Sequence, residues 1–213
     1  MIQKITIEGY KSIKEQTVEL FPINILIGGN GIGKSNFISA FTLIHNLYER
    51  NLQNYVLTKG GSDSLLYMGK KETDHLSFDL FFAERGKDAH NRFIVNMKEA
   101  QDSLFIERID TAYHNGVSWH KQESSFKNDH TGQAFYVNSF LREFEVYHFH
   151  DTGDRSPMKG KCNMDDNVSL KNNGANIAAF LYYLKEKHPK HFTRIEKAVA
   201  SVSPFFEGFC LMP

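Results

Sequence analysis

Residues 23–36 read Ile23-Asn24-Ile25-Leu26-Ile27-Gly28-Gly29-Asn30-Gly31-Ile32-Gly33-Lys34-Ser35-Asn36. Residues 23–27 form a short apolar run of the kind that makes a fully buried strand. Residues 28–35 fit the spacing Gly, four residues, Gly-Lys-Ser. Beyond them Phe37, Ile38, Phe41, Ile44, Leu47 and Tyr48 recur at spacings of three and four, which predicts an amphipathic helix to about residue 50. Strand, glycine-rich loop and helix in that order predict a loop that cradles phosphate.

The chemistry follows from the residue types. A polyphosphate needs many donors and little steric bulk, and Gly28, Gly29, Gly31 and Gly33 let consecutive backbone amides point into one concavity. A helix starting near Lys34 adds unsatisfied amides and the positive end of its dipole. Lys34 then supplies a mobile ammonium for the β- and γ-phosphates, and the Ser35 hydroxyl is placed to ligate a bridging Mg²⁺. The expected cofactor-binding set is therefore Gly28, Gly29, Asn30, Gly31, Ile32, Gly33, Lys34 and Ser35, with Ser35 as the ligand of a Mg that bridges the phosphates; the resemblance given below implies that the nucleotide is ATP.

Working outward, the remaining sequence of 213 residues holds 25 Lys plus Arg against 25 Asp plus Glu, with 41% apolar residues. That balance permits a full hydrophobic core and excludes a domain-wide electrostatic grip on nucleic acid. No stretch approaches the length of a spanning helix, so membrane insertion is not expected. Cys162 and Cys210 lie far apart, which fits the cytosol better than a disulfide framework, and both read as buried thiols.

Upstream of the loop, residues 2–8 alternate as a half-buried strand that Gly9 ends, and residues 17–21 alternate again. Residues 51–71 read as a long surface connection, because they hold Gly60, Gly61, Ser62, Asp63 and Ser64. Residues 76–82, 92–97, 104–109 and 117–120 predict an antiparallel meander. Residues 133–142 predict a helix, 144–149 a strand, 151–168 a loop, two helices follow up to residue 202, and 205–213 look like a last strand. The whole reads as one α/β body, a P-loop NTPase lobe with a mixed sheet flanked by helices plus an antiparallel β subdomain.

The opening Ile7-Glu8-Gly9-Tyr10-Lys11-Ser12-Ile13, then Leu26-Ile27-Gly28 and Gly29-Asn30-Gly31-Ile32-Gly33-Lys34-Ser35-Asn36, resembles the N-terminal lobe of SMC and RecF-like ATPase heads. These are ABC-type ATPases. Val146-Tyr147-His148-Phe149-His150-Asp151-Thr152-Gly153 and the segment around residues 172–180 are similar to stand-alone ATPases of that group. The resemblance implies DNA maintenance or defence against phage, possible DNA and nuclease partners, and a homodimer of the full-length protein. It also carries over Lys11 as a basic residue approaching the phosphates, and Asn36 after the loop serine. His150 and Asp151 fall where such heads place a glutamine that touches Mg²⁺ and the attacking water. His148 and His150, with Asp151, also raise a transition-metal reading.

Hydrolysis in this class needs a second acidic motif, four apolar residues ending in Asp and followed by Glu. Leu76-Ser77-Phe78-Asp79-Leu80 is the nearest approach, and Asp79 there reads as exposed. In ABC-type heads that motif and the Ser-Gly signature come from a C-terminal lobe, so the resemblance implies that hydrolysis needs a lobe this chain lacks. The alternative is a non-hydrolysing nucleotide sensor that regulates a protein partner such as a nuclease. A small-molecule kinase or GTPase stands further off, since no Asn-Lys-x-Asp motif is present.

Overall fold

The computed structural model of the chain describes residues 1–83, 89–115, 118–123, 132–142, 144–147, 149 and 153–211. The chain divides into two compact units, Met1–Glu145 and Val146–Pro213.

The first unit is a six-stranded sheet in the order β2-β1-β3-β4-β5-β6, antiparallel at every pairing. Its strands are β1 (Ile2–Tyr10), β2 (Ile13–Glu19), β3 (His75–Ala83), β4 (Ala89–Ala100), β5 (Ser103–Asn115) and β6 (Trp119–Glu123). The α/β class stands, but the sheet of the described residues is not mixed: the N-terminal hairpin and the meander are one continuous antiparallel sheet. Alternation decides which face is buried. Ile5 and Ile7 of β1, Leu76, Phe78, Leu80 and Phe82 of β3, and Phe93, Val95 and Met97 of β4 are all buried. Helices α1 (Lys34–Tyr48), α2 (Leu52–Thr58) and α3 (Gly132–Arg142) contribute Ala40, Leu43, Ile44, Leu47, Tyr55, Val56, Val137 and Leu141 to the same core. β1 does not stop at Gly9 but runs through it. Gly9 adopts φ +70°, and a Cβ there would sit 2.3 Å from the His75 carbonyl oxygen, so only glycine lets β3 begin so close.

Two expectations fail for physical reasons. Residues 51–71 are not a surface connection: α2 and a 3₁₀ turn at Ser62–Ser64 bury Leu52, Tyr55, Val56, Leu65 and Leu66 against the sheet. Residues 23–27 are not a buried strand. The chain leaves the sheet at Leu20, whose amide donates to the Gln3 carbonyl at 2.7 Å. β1 is already flanked by β2 and β3, so it offers no free edge to the run that follows. Ile23, Ile25 and Ile27 are 81%, 78% and 86% exposed.

The second unit carries α4 (Ile177–Lys187) and α5 (Pro189–Val202), which pack on each other. Asn176, fully buried, accepts from the Lys171 amide and donates to the carbonyls of Asp166 and Ser169, pinning the loop before α4. Described residues among 144–149 and 205–211 form no strand. Cys162 is half-buried and Cys210 exposed, both free thiols rather than buried ones.

Candidate functional site

The loop begins with a local turn. Asn24 Oδ1 accepts from the Phe21 amide at 3.0 Å while its Nδ2 donates to the Phe21 carbonyl at 2.7 Å. From there the chain runs exposed to Ile32. Gly31 and Gly33 adopt φ +83° and +98°, a left-handed conformation that an L side chain resists. Gly33 is the residue on which α1 starts, and a Cβ there would approach Ser12 Oγ to 3.2 Å. Gly29 and Gly31 face open space. At Gly28 the loop's own Ile32 side chain covers the backbone, its Cδ1 2.1 Å from where a Cβ would stand, so the bend is bare at Gly29 and Gly31 and covered at Gly28.

Among the described residues nothing caps the N-terminus of α1. Its first internal bond runs from the Phe37 amide to the Gly33 carbonyl at 2.9 Å; no side chain caps it and no acidic residue lies in its first turn. The amides ahead of that bond, and the dipole behind them, are free to meet an anion. Lys34 folds back over the loop, and its Nζ donates to the carbonyls of Gly28 at 2.7 Å and Gly29 at 2.6 Å. The ammonium is thus held on two loop carbonyls, which it would have to release to meet a phosphate oxygen, and the exposed Ser35 hydroxyl stands one residue further into the helix. Among the described residues no cluster of three or more His, Cys, Asp or Glu could hold a metal by itself. A Mg²⁺ here would be held by Ser35 together with phosphate oxygens.

Beside the loop lies a cavity of about 520 Å³, walled by the apolar Ile13, Val18, Leu26, Ile32 and Phe37 and by the polar Ser12, Lys14, Glu15, Gln16 and Lys34. Its size and mixed lining suit a base and ribose. The strip between this cavity and the core is tied together by polar contacts. Asn36 Nδ2 donates to Ser12 Oγ at 2.8 Å, Lys11 Nζ donates to Ser39 Oγ at 3.1 Å, and the Tyr10 hydroxyl pairs with Ser39 Oγ at 3.0 Å. Burial, with Lys59 nearby, holds the Lys11 ammonium below its ordinary range, and burial pushes the Tyr10 phenol up. Lys11 takes φ +51° at the tip of the β1–β2 turn.

The structure thus brings together Gly28, Gly29, Asn30, Gly31, Ile32, Gly33, Lys34 and Ser35, with Asn36 and Lys11 beside them in bonds to Ser12 and Ser39. Asp79 is elsewhere. It lies on the face of β3 away from the core, where Arg92 Nε donates to it at 2.8 Å, so it is a paired structural carboxylate and not a merely exposed one. His148, His150 and Asp151 lie outside the described residues. Ser12, Ser39 and Phe37 are the members that sequence reading missed. The first two carry no signal in spacing, while Phe37 was legible only as a helix position.

A helix that opens on a left-handed glycine after a glycine-rich loop, with its lysine turned back on that loop, defines a P-loop nucleotide-binding protein. The family profile described as an AAA ATPase domain matches residues 1–203, and the chain belongs to that family. Among solved structures it is similar to the recombination mediator protein RecF with ATP in the RecFOR pathway, at 11% identity and a TM-score of 0.38. That match covers 97% of this chain and 48% of the RecF chain, so the chain spans about half the length of that structure. No curated protein matches.

Proposed function

We propose that the chain binds ATP with Mg²⁺ at the loop of residues 28–35, as the N-terminal lobe of an SMC/RecF-like ATPase in DNA maintenance or phage defence. The observation that carries this reading is the uncapped α1 N-terminus, with Lys34 over the loop carbonyls and a base-sized cavity alongside. Gly31 and Gly33 present the amides, Lys34 neutralises the β- and γ-phosphates, and Ser35 completes the Mg²⁺ shell. Lys11 and Asn36 position the loop from behind through Ser39 and Ser12.

Turnover requires groups from a C-terminal lobe, since Asp79 is committed to Arg92 and no other described carboxylate stands in an acidic motif next to the loop. The exposed run of residues 23–27 supports this: it is a strand sequence without a partner strand among the described residues. In the full-length protein, ATP bridges two such heads into a homodimer; alone, this lobe stays monomeric.

The test is a titration with ATP and GTP, each with and without Mg²⁺, with phosphate release followed in parallel. The expected result is Mg²⁺-dependent binding that favours ATP, with release near background. Equal affinity under all four conditions contradicts the reading. Rapid hydrolysis by this chain alone contradicts the need for a second lobe.

A further inference from the structure

The face of the sheet turned away from the core carries a feature that nucleotide binding does not use. Phe81 of β3 lies between Leu80 and Phe82, both fully buried, so it points to the opposite side. On that side it meets His90 of β4 at 5.2 Å between ring centroids, His90 meets His114 of β5 at 6.0 Å, and His114 meets Trp119 of β6 at 5.2 Å. Trp119 closes back on Phe81 edge-on at 5.9 Å. Lys4 of β1 holds its ammonium 5.8 Å from the Phe81 ring. Register explains the row: His90 lies opposite His114, and His114 opposite Trp119. A cavity of about 460 Å³, walled by Lys4, Phe81, Leu20, Phe21 and Pro22, continues the row past the edge of the rings.

Three properties separate this patch from ordinary packing. Trp119 is 44% exposed and Phe21 65% exposed, so ring faces remain open to solvent. The Nδ1 of His90 is buried with no hydrogen-bond partner among the described residues, a cost that stability alone gives no reason to carry. Lys4 makes no ion pair among the described residues, and Arg92, in register with Phe81, is already neutralised by Asp79. Glu19 lies across from Lys4 in register. Four ring-bearing side chains with a free ammonium at one end suit a ligand that alternates flat π-faces with anions. Because Trp119 returns to Phe81, the four rings form one closed cluster, with the exposed Trp119 on one side and the Lys4 ammonium over Phe81, room for one or two bases. β1 runs on from Lys4 to the Lys11-Ser12 turn beside the nucleotide loop, roughly 20 Å away.

We propose that this ring-lined face, Lys4, Phe81, His90, His114 and Trp119, is a binding platform for single-stranded DNA. A base stacks on the exposed Trp119, backed by the half-buried rings of Phe81, His90 and His114, and Lys4 takes a phosphate. The site itself is argued from these residues, while the preference for DNA over RNA rests on the function proposed above.

Trp119 is the only tryptophan of the chain, so the platform carries its own probe. Fluorescence of the full chain would be followed during titration with a twelve-nucleotide oligothymidylate, and with an abasic strand, an oligouridylate and a duplex of equal length. The expected result is saturable quenching by oligothymidylate, about tenfold tighter than by any of the other three. By anisotropy of labelled oligothymidylate, Trp119→Ala and Phe81→Leu each weaken binding about tenfold, and Trp119→Phe much less. Lys4→Gln lowers the salt slope by about one contact, which keeps the test open if a ring variant fails to fold. Absence of quenching, or an abasic strand or duplex that binds as tightly, overturns the platform; oligouridylate binding as tightly overturns the assignment to DNA. A wild-type chain that binds the oligonucleotide but no ATP upholds the platform and sinks the nucleotide reading instead. Loss of oligonucleotide binding in Lys34→Ala counts against two separate sites.

Discussion

β3 and residues 21–32 are both rich in large apolar side chains, yet one is the spine of the core and the other stands in solvent from end to end. β3 alternates Leu76, Phe78, Leu80 and Phe82 inward and is paired along both edges, by β1 and β4. The run of residues 23–27 has the more continuous apolar sequence and pairs with no strand among the described residues. Hydrophobicity alone therefore does not bury a strand; it must also pair, and this run takes neither of the sheet's two open edges, at β2 and β6. What the second region gains from standing free is a loop whose amides and lysine remain available to a ligand.

The sharpest break of that contrast is a matched pair of substitutions. Phe78→Ala is expected to cost about 3–5 kcal/mol, while Ile25→Ser stays within about 0.5 kcal/mol, both read from denaturant midpoints. An Ile25→Ser penalty above about 2 kcal/mol would mean the run is packed after all. Within the loop, Gly33→Val forces a branched side chain into φ +98° beside Ser12, at a cost of order 1–3 kcal/mol. Its ATP affinity is expected to fall more than about tenfold, as binding isotherms would show. Gly29→Ala, which meets no atom, should leave stability unchanged. Asn36→Ala removes the bond to Ser12 Oγ and is expected to lower stability by about 0.5–1.5 kcal/mol, with ATP affinity reduced only through a looser loop.

The smallest effect is pH-dependent. Because burial lowers the Lys11 pKa in the folded state, the unfolded chain holds the proton more tightly above that lowered value. Stability is therefore expected to rise with pH from the lowered pKa up to the ordinary lysine value of about 10.4. In Lys11→Met that rise disappears, so the two proteins differ most near neutrality in thermal melts. A rise that persists in Lys11→Met would assign it to another group.

Much of this was legible in the chain of residues. The alternation of residues 76–82 and 92–97, and the three-four spacing after Ser35, state their own burial because each side chain's direction follows from its own element. Three features were not. Leu52, Tyr55 and Val56 were hidden by the glycines and serines that follow them, although α2 needs only seven residues to bury all three. Residues 23–27 carry a strand pattern, but a pattern holds no information on whether a neighbour exists. The contacts of Lys11 with Ser39, Asn36 with Ser12 and Asp79 with Arg92 join residues 13 to 28 positions apart, so local spacing could not give them. The loop itself was the most legible part, because every donor in it is main chain and its demands fall on glycine alone.

The central claim is that the amides of residues 28–35 and the Lys34 ammonium together hold a triphosphate. Amide shifts of the ¹⁵N-labelled chain during a titration with ATP and Mg²⁺ test it directly. The account expects saturable shifts at Gly29, Gly31, Gly33, Lys34 and Ser35, little movement at Ile7 or Phe78, and loss of the response in Lys34→Ala. Shifts confined to other residues, or a loop response undiminished in Lys34→Ala, would contradict it.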